Sequence, residues 1–269
     1  MMHSWSRLRS YFIFVPLIFF YTLVMGVLSL ACSVRDRYGC SQHRCARMWS
    51  WLILRTSMSP VTAVGLERVR RNKPQVFAVN HASAMDVPVL YMKLPVQFRI
   101  VANKNLFGYP FMGWHLRRSG QIAIDRTSMI STVKSFVSAV GGLRENMNVL
   151  IFPEGRRSHD GSVQPFFRGA FYLAVKAQVP IVPLAIIGTY EILPMNTYHI
   201  MPRPIELRVG EPIPTAGLNS QDLESLSVRV KDEIEKMLNC RSTPGDVDKC
   251  GRYGRLRYKP GSGVFTQRN

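Results

Sequence analysis

Val76-Phe-Ala-Val-Asn-His-Ala-Ser-Ala-Met-Asp-Val-Pro88 is the stretch that decides how the chain is read. Val76 to Val79 form a short apolar run that reads as a buried strand, and Pro88 suits the first turn of a helix. Between strand and helix the chain turns through Asn80, His81 and Asp86. On a continuous helix, residues five apart point to different sides. His81 and Asp86 can therefore meet only if Ala82 to Met85 form a turn or an irregular helix start. Two readings stay open. In one, the His81 imidazole takes a proton from an alcohol near neutral pH, while the Asp86 carboxylate fixes its tautomer and orientation. In the other, Asp86 merely caps a helix beginning at Val87, and His81 is a satisfied turn residue.

Downstream, Asn148-Val-Leu-Ile-Phe152 reads as a second buried strand, and it runs into Pro153-Glu-Gly-Arg-Arg-Ser158. A buried strand emptying into a glycine-containing, doubly basic loop is a natural anion site. Gly155 lets the backbone approach a ligand closely, and Arg156 and Arg157 can grip phosphate oxygens in bidentate fashion. The alternative is a solvated basic turn.

Around these two stretches, short apolar runs alternate with helix-like ones. Strands are expected at Val76–Val79, Phe98–Ala102, Gln121–Ile124, Val149–Phe152, Ile181–Ile187 and Ile205–Val209. Helices are expected at Met85–Leu94, 128–145, Phe167–Ala177 and Gln221–Leu238. This alternation predicts an α/β fold with helices around a largely parallel central sheet. In such folds ligands gather at the loops leaving the carboxyl ends of the strands. The last helix aligns Leu223, Leu226, Val230, Ile234 and Met237/Leu238 in one apolar stripe, which reads as core packing.

Taken together, the motifs strongly resemble the glycerolipid acyltransferase family, specifically its 1-acylglycerol-3-phosphate acyltransferases. The Asn-His-x4-Asp motif is matched by Asn80, His81 and Asp86, and the Phe-Pro-Glu-Gly-Thr-Arg-Ser motif by Phe152 to Gly155, Arg157 and Ser158. Arg156 stands where the family usually has threonine. Gly120 to Arg126 resembles the second motif, whose arginine helps hold the acceptor phosphate. Lys104 matches a lysine placed near the reacting carbonyl, and Val179-Pro-Ile-Val-Pro183 resembles the fourth motif. The resemblance implies transfer of an acyl group from acyl-CoA or acyl-carrier-protein to the sn-2 hydroxyl of lysophosphatidate. His81 would act as base and Asp86 would orient it. Lys104, or N–H groups near it, would meet the oxyanion, and Arg126, Arg156 and Arg157 would hold the phosphate. Asn80, Glu154, Gly155 and Ser158 would help to bind substrate. A thioester is already activated, so no cofactor and no metal are expected.

The termini carry a different signal. Tyr11 to Ala31 is uncharged, and as a helix would span roughly 30 Å, about one bilayer core. Arginines flank it, more of them after than before, which predicts that the chain from Arg35 onward faces the cytoplasm at the inner or plasma membrane. Met48 to Met58, with Trp49, Trp51 and Arg55, suits an interfacial helix. Spanning and half-immersed arrangements both fit. The division expected is a membrane anchor over 1–66, a catalytic domain over 67–239 and a basic, mobile tail over 240–269.

The net charge of +18 invites nucleic acid as a partner. Its placement argues otherwise: residues 1–73 carry 11 basic against 2 acidic side chains, while 74–239 carry 17 against 13. An excess beside an apolar segment fits anionic lipid headgroups, so membrane lipids are expected as partners and nucleic acid is not. The 5 cysteines lack framework spacing, so reduced thiols are expected. Cys40, His43 and Cys45 offer three ligands, but in no common zinc spacing. Without a Gly-x-Ser-x-Gly elbow a serine-type lipid hydrolase is disfavoured. Two alternatives remain: an acyltransferase acting on glycerol-3-phosphate or another lyso-lipid, and a non-catalytic basic membrane binder.

Overall fold

The computed structural model describes residues 2–36, 38–125, 140–141 and 147–240. The site residue Arg126, the helix expected over 128–145 and the tail beyond 240 fall, wholly or mostly, outside these. The elements, in order, are helices α1 (Met2–Arg9), α2 (Val15–Cys32) and α3 (Cys40–Thr56), strands β1 (Val61–Val64) and β2 (Val76–Val79), α4 (Asp86–Lys93), β3 (Phe98–Asn103), α5 (Met112–Arg118), β4 (Ile122–Ile124), β5 (Asn148–Ile151), α6 (Tyr172–Ala177), β6 (Ile181–Ile187), α7 (Thr189–Ile192), β7 (Ile205–Val209) and α8 (Leu223–Asn239).

The strands form one seven-stranded sheet in the order β1-β7-β6-β2-β5-β3-β4. All neighbours run parallel except β6 and β7. The central strands are buried on both sides, so period-two alternation assigns residues to faces rather than to core and solvent. Phe77 and Val79 pack with α4 (Val89, Leu90, Tyr91) and α3 (Ile53, Leu54) on one side. Val76 and Ala78 pack with α6 (Leu173, Ala174, Val175) and the stripe Leu226, Val230, Ile234, Met237 of α8 on the other. Each fully buried side chain of this kind contributes about 1.5–3 kcal/mol.

β2 and β5 lie side by side at the point where the chain changes direction across the sheet. The connection leaving β2 runs toward β3, and that leaving β5 runs toward β6 on the opposite flank. A crevice at the carboxyl ends of such a pair is where ligands bind in open α/β sheets.

Two expectations need correction. Val61–Val64 was not anticipated as a strand, yet it pairs with β7 at the sheet edge. It has four residues between Pro60 and Gly65, three half-buried and Thr62 exposed, too few for a periodic signal. The sheet thus starts before residue 67, and Ile53 and Leu54 of α3 share its core. Cys32, Cys40 and Cys45 are free thiols, whereas Cys240 is disulfide-bonded.

The N-terminal helix is a continuous rod with one π turn, Ser10–Phe14, where the Pro16 ring would crowd the carbonyl four residues earlier. Its 27 residues Ser6–Cys32 are long and apolar enough to cross a membrane. Both ends are fastened to the sheet domain. Near the start, Ser6 Oγ lies 2.9 Å from His199 Nε2, and Ser10 Oγ bonds the Ile200 carbonyl and N–H at 3.1 Å. Near the end, Ser29 Oγ lies 2.8 Å from His115 Nδ1 on α5.

The last helix is locked by a buried cation. Arg208, fully buried in β7, donates to both oxygens of Glu206 at 3.0 and 3.3 Å and to the carbonyls of Met237 and Cys240 at the end of α8. Removing one partner of a buried pair costs about 3–5 kcal/mol, since the other charge is stranded. Arg208→Met is expected to lower the melting temperature by that equivalent while leaving the β2/β5 crevice unaltered. A variant as stable as the parent would show that the pair does not hold α8.

Candidate active site

The structure brings His81 and Asp86 together, Nδ1 to Oδ2, at 2.8 Å. The loop does this because the same Oδ2 also accepts from the N–H groups of Ala82 (2.8 Å) and Ser83 (2.9 Å), which wraps 81–85 into a turn around the carboxylate. Oδ1 accepts from the Thr189 hydroxyl at 2.5 Å. Asp86 is fully buried at the head of α4, and its four partners compensate that burial. It does more than cap the helix: Met85 is the cap residue, and the carboxylate reaches back to the preceding loop.

The His81 ring stacks on Phe152, with centroids 3.9 Å apart and planes 24° from parallel. Its side chain is 18% exposed. With Nδ1 tied to Asp86, no described residue takes Nε2. An imidazole held by a carboxylate on one nitrogen and open on the other can accept a proton from a substrate hydroxyl.

The loop after β5 is fastened to the loop after β2. Glu154 accepts from the His81 N–H with one oxygen (2.6 Å) and from the Gln164 N–H with the other (2.9 Å), and the Ser158 N–H bonds the His81 carbonyl at 2.8 Å. Burial pushes the Glu154 carboxyl up to about 7, against the pull of its two backbone N–H bonds. The Ser158 hydroxyl turns to Asp160 at 2.9 Å. Asn80 gives its amide group to β6, accepting from the Ile186 N–H at 2.8 Å and donating to its carbonyl at 3.0 Å. Asn80 and Glu154, both expected to bind substrate, thus spend these side-chain groups on backbone of neighbouring elements, and Ser158, expected likewise, spends its hydroxyl on Asp160. Gly155 supplies a turn, with φ of +74° and its N–H on the Phe152 carbonyl at 2.9 Å. That turn presents Arg156, exposed, and Arg157, half-buried; among the described residues neither guanidinium has an ion-pair partner.

Lys104 sits apart. It follows β3, two strands from β2, is 65% exposed and pairs with Asp125 at 3.2 Å. The structure shows no contact between Lys104 and His81. Sequence reasoning missed Thr189, Gln164 and the stacking role of Phe152. Thr189 follows Ile187-Gly188 at the end of β6, on the same sheet edge, which was the available signal. His43 packs between the rings of Tyr91 and Phe98, 5.2 Å from each, and burial pushes it down to about 4, so it belongs to the core. Among the described residues no group of three or more His, Cys, Asp or Glu is arranged to hold a metal.

Residues 60–187, the sheet from β1 through β6, match the protein-family model described as Acyltransferase. A 1-acyl-sn-glycerol-3-phosphate acyltransferase from Limnanthes douglasii is 32% identical over 186 residues, covering 69% of this chain and 66% of that protein. The human 1-acyl-sn-glycerol-3-phosphate acyltransferase alpha is 33% identical over 177 residues, covering 65% of this chain and 62% of its own length. The chain thus spans a little under two thirds of the length of these curated relatives. The crystal structure of the 1-acyl-sn-glycerophosphate (LPA) acyltransferase PlsC from Thermotoga maritima superposes with a TM-score of 0.70 at 25% identity, covering 89% of this chain and 97% of that one. With one family model over the strands that build the crevice, and acyltransferases among both its relatives and its structural neighbours, the chain belongs to the acyltransferase family.

Proposed function

We propose that the protein transfers a fatty acyl group from acyl-CoA or acyl-carrier-protein to the sn-2 hydroxyl of 1-acylglycerol-3-phosphate, producing phosphatidate. The observation that carries this reading is the His81–Asp86 pair at the β2/β5 switch point, beside a loop presenting Arg157, which has no ion-pair partner among the described residues. In this mechanism His81 Nε2 takes the proton of the sn-2 hydroxyl as its oxygen attacks the thioester carbonyl. Lys104, or N–H groups near it, is assigned to the tetrahedral oxyanion, a role that requires the exposed lysine to leave Asp125 and swing toward His81. The intermediate expels the thiolate, which takes the proton back from His81. Asp86 holds the ring and stabilises the imidazolium between these steps.

Direct transfer is favoured over an acyl-enzyme because the nearby hydroxyls are engaged elsewhere. Ser83 Oγ donates to the Leu193 carbonyl at 2.8 Å, Ser158 to Asp160 and Thr189 to Asp86. Arg157, with Arg156 and Arg126, clamps the acceptor phosphate. No cofactor beyond the donor enters this chemistry.

The acceptor resides in a bilayer, and the N-terminal helix brings the enzyme there. In this reading the protein lies at the inner or plasma membrane with residues 67–239 toward the cytoplasm, residues 1–66 as its anchor and the basic stretch 240–269 attracted to anionic headgroups. Of the spanning and half-immersed arrangements, the geometry supports the second. The helix is ~40 Å long, and a bilayer core is ~30 Å thick. A spanning helix would carry Ser6 and Ser29 to opposite membrane faces, yet both bond the same sheet domain.

The test is an assay of purified, detergent-solubilised protein with lysophosphatidate, glycerol-3-phosphate and other lyso-phospholipids against acyl-CoA and acyl-carrier-protein. Lysophosphatidate is expected to be acylated with release of one thiol per turnover, and His81→Ala to fall by about 10²–10⁴-fold with its melting transition intact. Preference for another acceptor would overturn the acceptor assignment, and near-normal turnover by folded His81→Ala would overturn the mechanism.

Arg157→Ala is expected to raise KM for lysophosphatidate far more than for the donor. Arg157→Lys should recover only part, because lysine lacks the planar fork that grips two phosphate oxygens. Equal effects on both substrates would move Arg157 to the donor's phosphates or to a structural role.

A further inference from the structure

Leu106 to Trp114, running from the loop after β3 into the first turn of α5, carries an apolar surface that the acyl-transfer chemistry does not use. Leu106, Tyr109, Phe111, Met112 and Trp114 are all exposed, Tyr109 at 57%. The segment is tightly built. Phe107 is buried beneath it, and a Cβ on Gly113 would come within 2.2 Å of the Phe107 carbonyl oxygen. Phe111 adopts φ of +59°, a conformation bulky residues take only under constraint, yet its ring lies outside against Trp114 with centroids 5.2 Å apart.

This patch continues the apolar surface of the N-terminal helix. The Ser29–His115 hydrogen bond fastens α5 to the end of α2, where Leu23, Val24, Val27 and Leu28 are exposed. Where the two meet, a cleft of about 380 Å³ opens between Leu30, Ser33 and Val34 on one side and Trp114, Arg117 and Arg118 on the other. Among the described residues neither arginine has an ion-pair partner.

We propose that Leu106–Trp114 is a second membrane-docking element, and that the cleft beside it takes the anionic headgroup of a bilayer phospholipid. The chemistry matches each part of the surface. Tryptophan and tyrosine settle at the headgroup level with the ring body in the acyl region, and deeper phenylalanine and methionine add apolar burial. A guanidinium pair at the cleft mouth binds phosphate in bidentate fashion and is drawn to an anionic leaflet. Contact at α2 and again at this segment fixes the tilt of the sheet domain on the membrane, which a single helix would leave free. The proposal is independent of which acceptor is acylated.

The test uses the full chain with Trp5, Trp49 and Trp51 changed to phenylalanine, leaving Trp114 as the sole tryptophan, excited where tyrosine does not absorb, with folding checked by circular dichroism. It is reconstituted in phosphatidylcholine vesicles with and without phosphatidylglycerol. Trp114 emission is expected to be quenched by lipids brominated near the top of the acyl chain and to be shielded from aqueous iodide. Iodide quenching without bromolipid quenching would mean that the patch faces water or a protein, and would overturn the docking element. Adding phosphatidylglycerol should shift the emission to the blue. In Arg117→Gln/Arg118→Gln the same shift should need about fivefold more anionic lipid per arginine lost. An unchanged response would overturn the headgroup assignment. Because the readout is fluorescence, its failure is distinct from failure of the acyl-transfer reading.

Discussion

The site depends on one buried carboxylate. Asp86 accepts four hydrogen bonds, from His81, the Ala82 and Ser83 N–H groups and Thr189, with no exposure to water. Water cannot replace any of these partners, so loss of one leaves an unsatisfied charge in a poorly polarisable setting. The carboxylate therefore determines the path of the loop as well as the orientation of the imidazole. The turn and the His81–Asp86 pair are one structure: the backbone that wraps around Asp86 is the backbone that carries His81.

A second set of bonds extends that order across the sheet. Glu154 and Ser158 tie the β5 loop to the His81 backbone, and Asn80 ties the end of β2 to β6. The basic loop thus holds its place relative to the base through backbone contacts, leaving Arg156 and Arg157 available for an anion. In the proposed function a general base and a phosphate clamp would act at a fixed separation on one small acceptor, and such bonds to backbone groups would hold that separation.

Much of this was legible in the sequence, for reasons that differ by element. Ile181–Ile187 is a continuous apolar run because it is buried on both faces, and such a run needs no partner to be recognised, whereas Ile205–Val209 alternates Ile205, Leu207 and Val209 with the buried pair Glu206 and Arg208. β1 is short and half-exposed, and becomes a strand only through β7. The meeting of His81 and Asp86 turned on residues 82–85, where the Ala82 and Ser83 N–H groups bond the Asp86 carboxylate and the Met85 N–H bonds the Ser83 hydroxyl. Thr189 stands 103 residues from Asp86, and no local pattern announces such a contact. The motif residues Asn80, Glu154 and Ser158 were identified as belonging to the site, but spacing does not say whether a polar side chain faces substrate or backbone. Lys104 is ion-paired with Asp125, a pairing across β3 and β4 that only the register reveals.

The central claim is that Asp86 acts through His81. The direct measurement is a double-mutant cycle in acyl transfer, comparing His81→Ala, Asp86→Asn and the double variant, with folding of each verified. If the carboxylate works only by holding and charging the imidazole, the double variant loses no more activity than His81→Ala alone, because residues acting as one unit are strongly non-additive. Losses that multiply in the double variant would mean that the two side chains contribute separately, and would contradict the account.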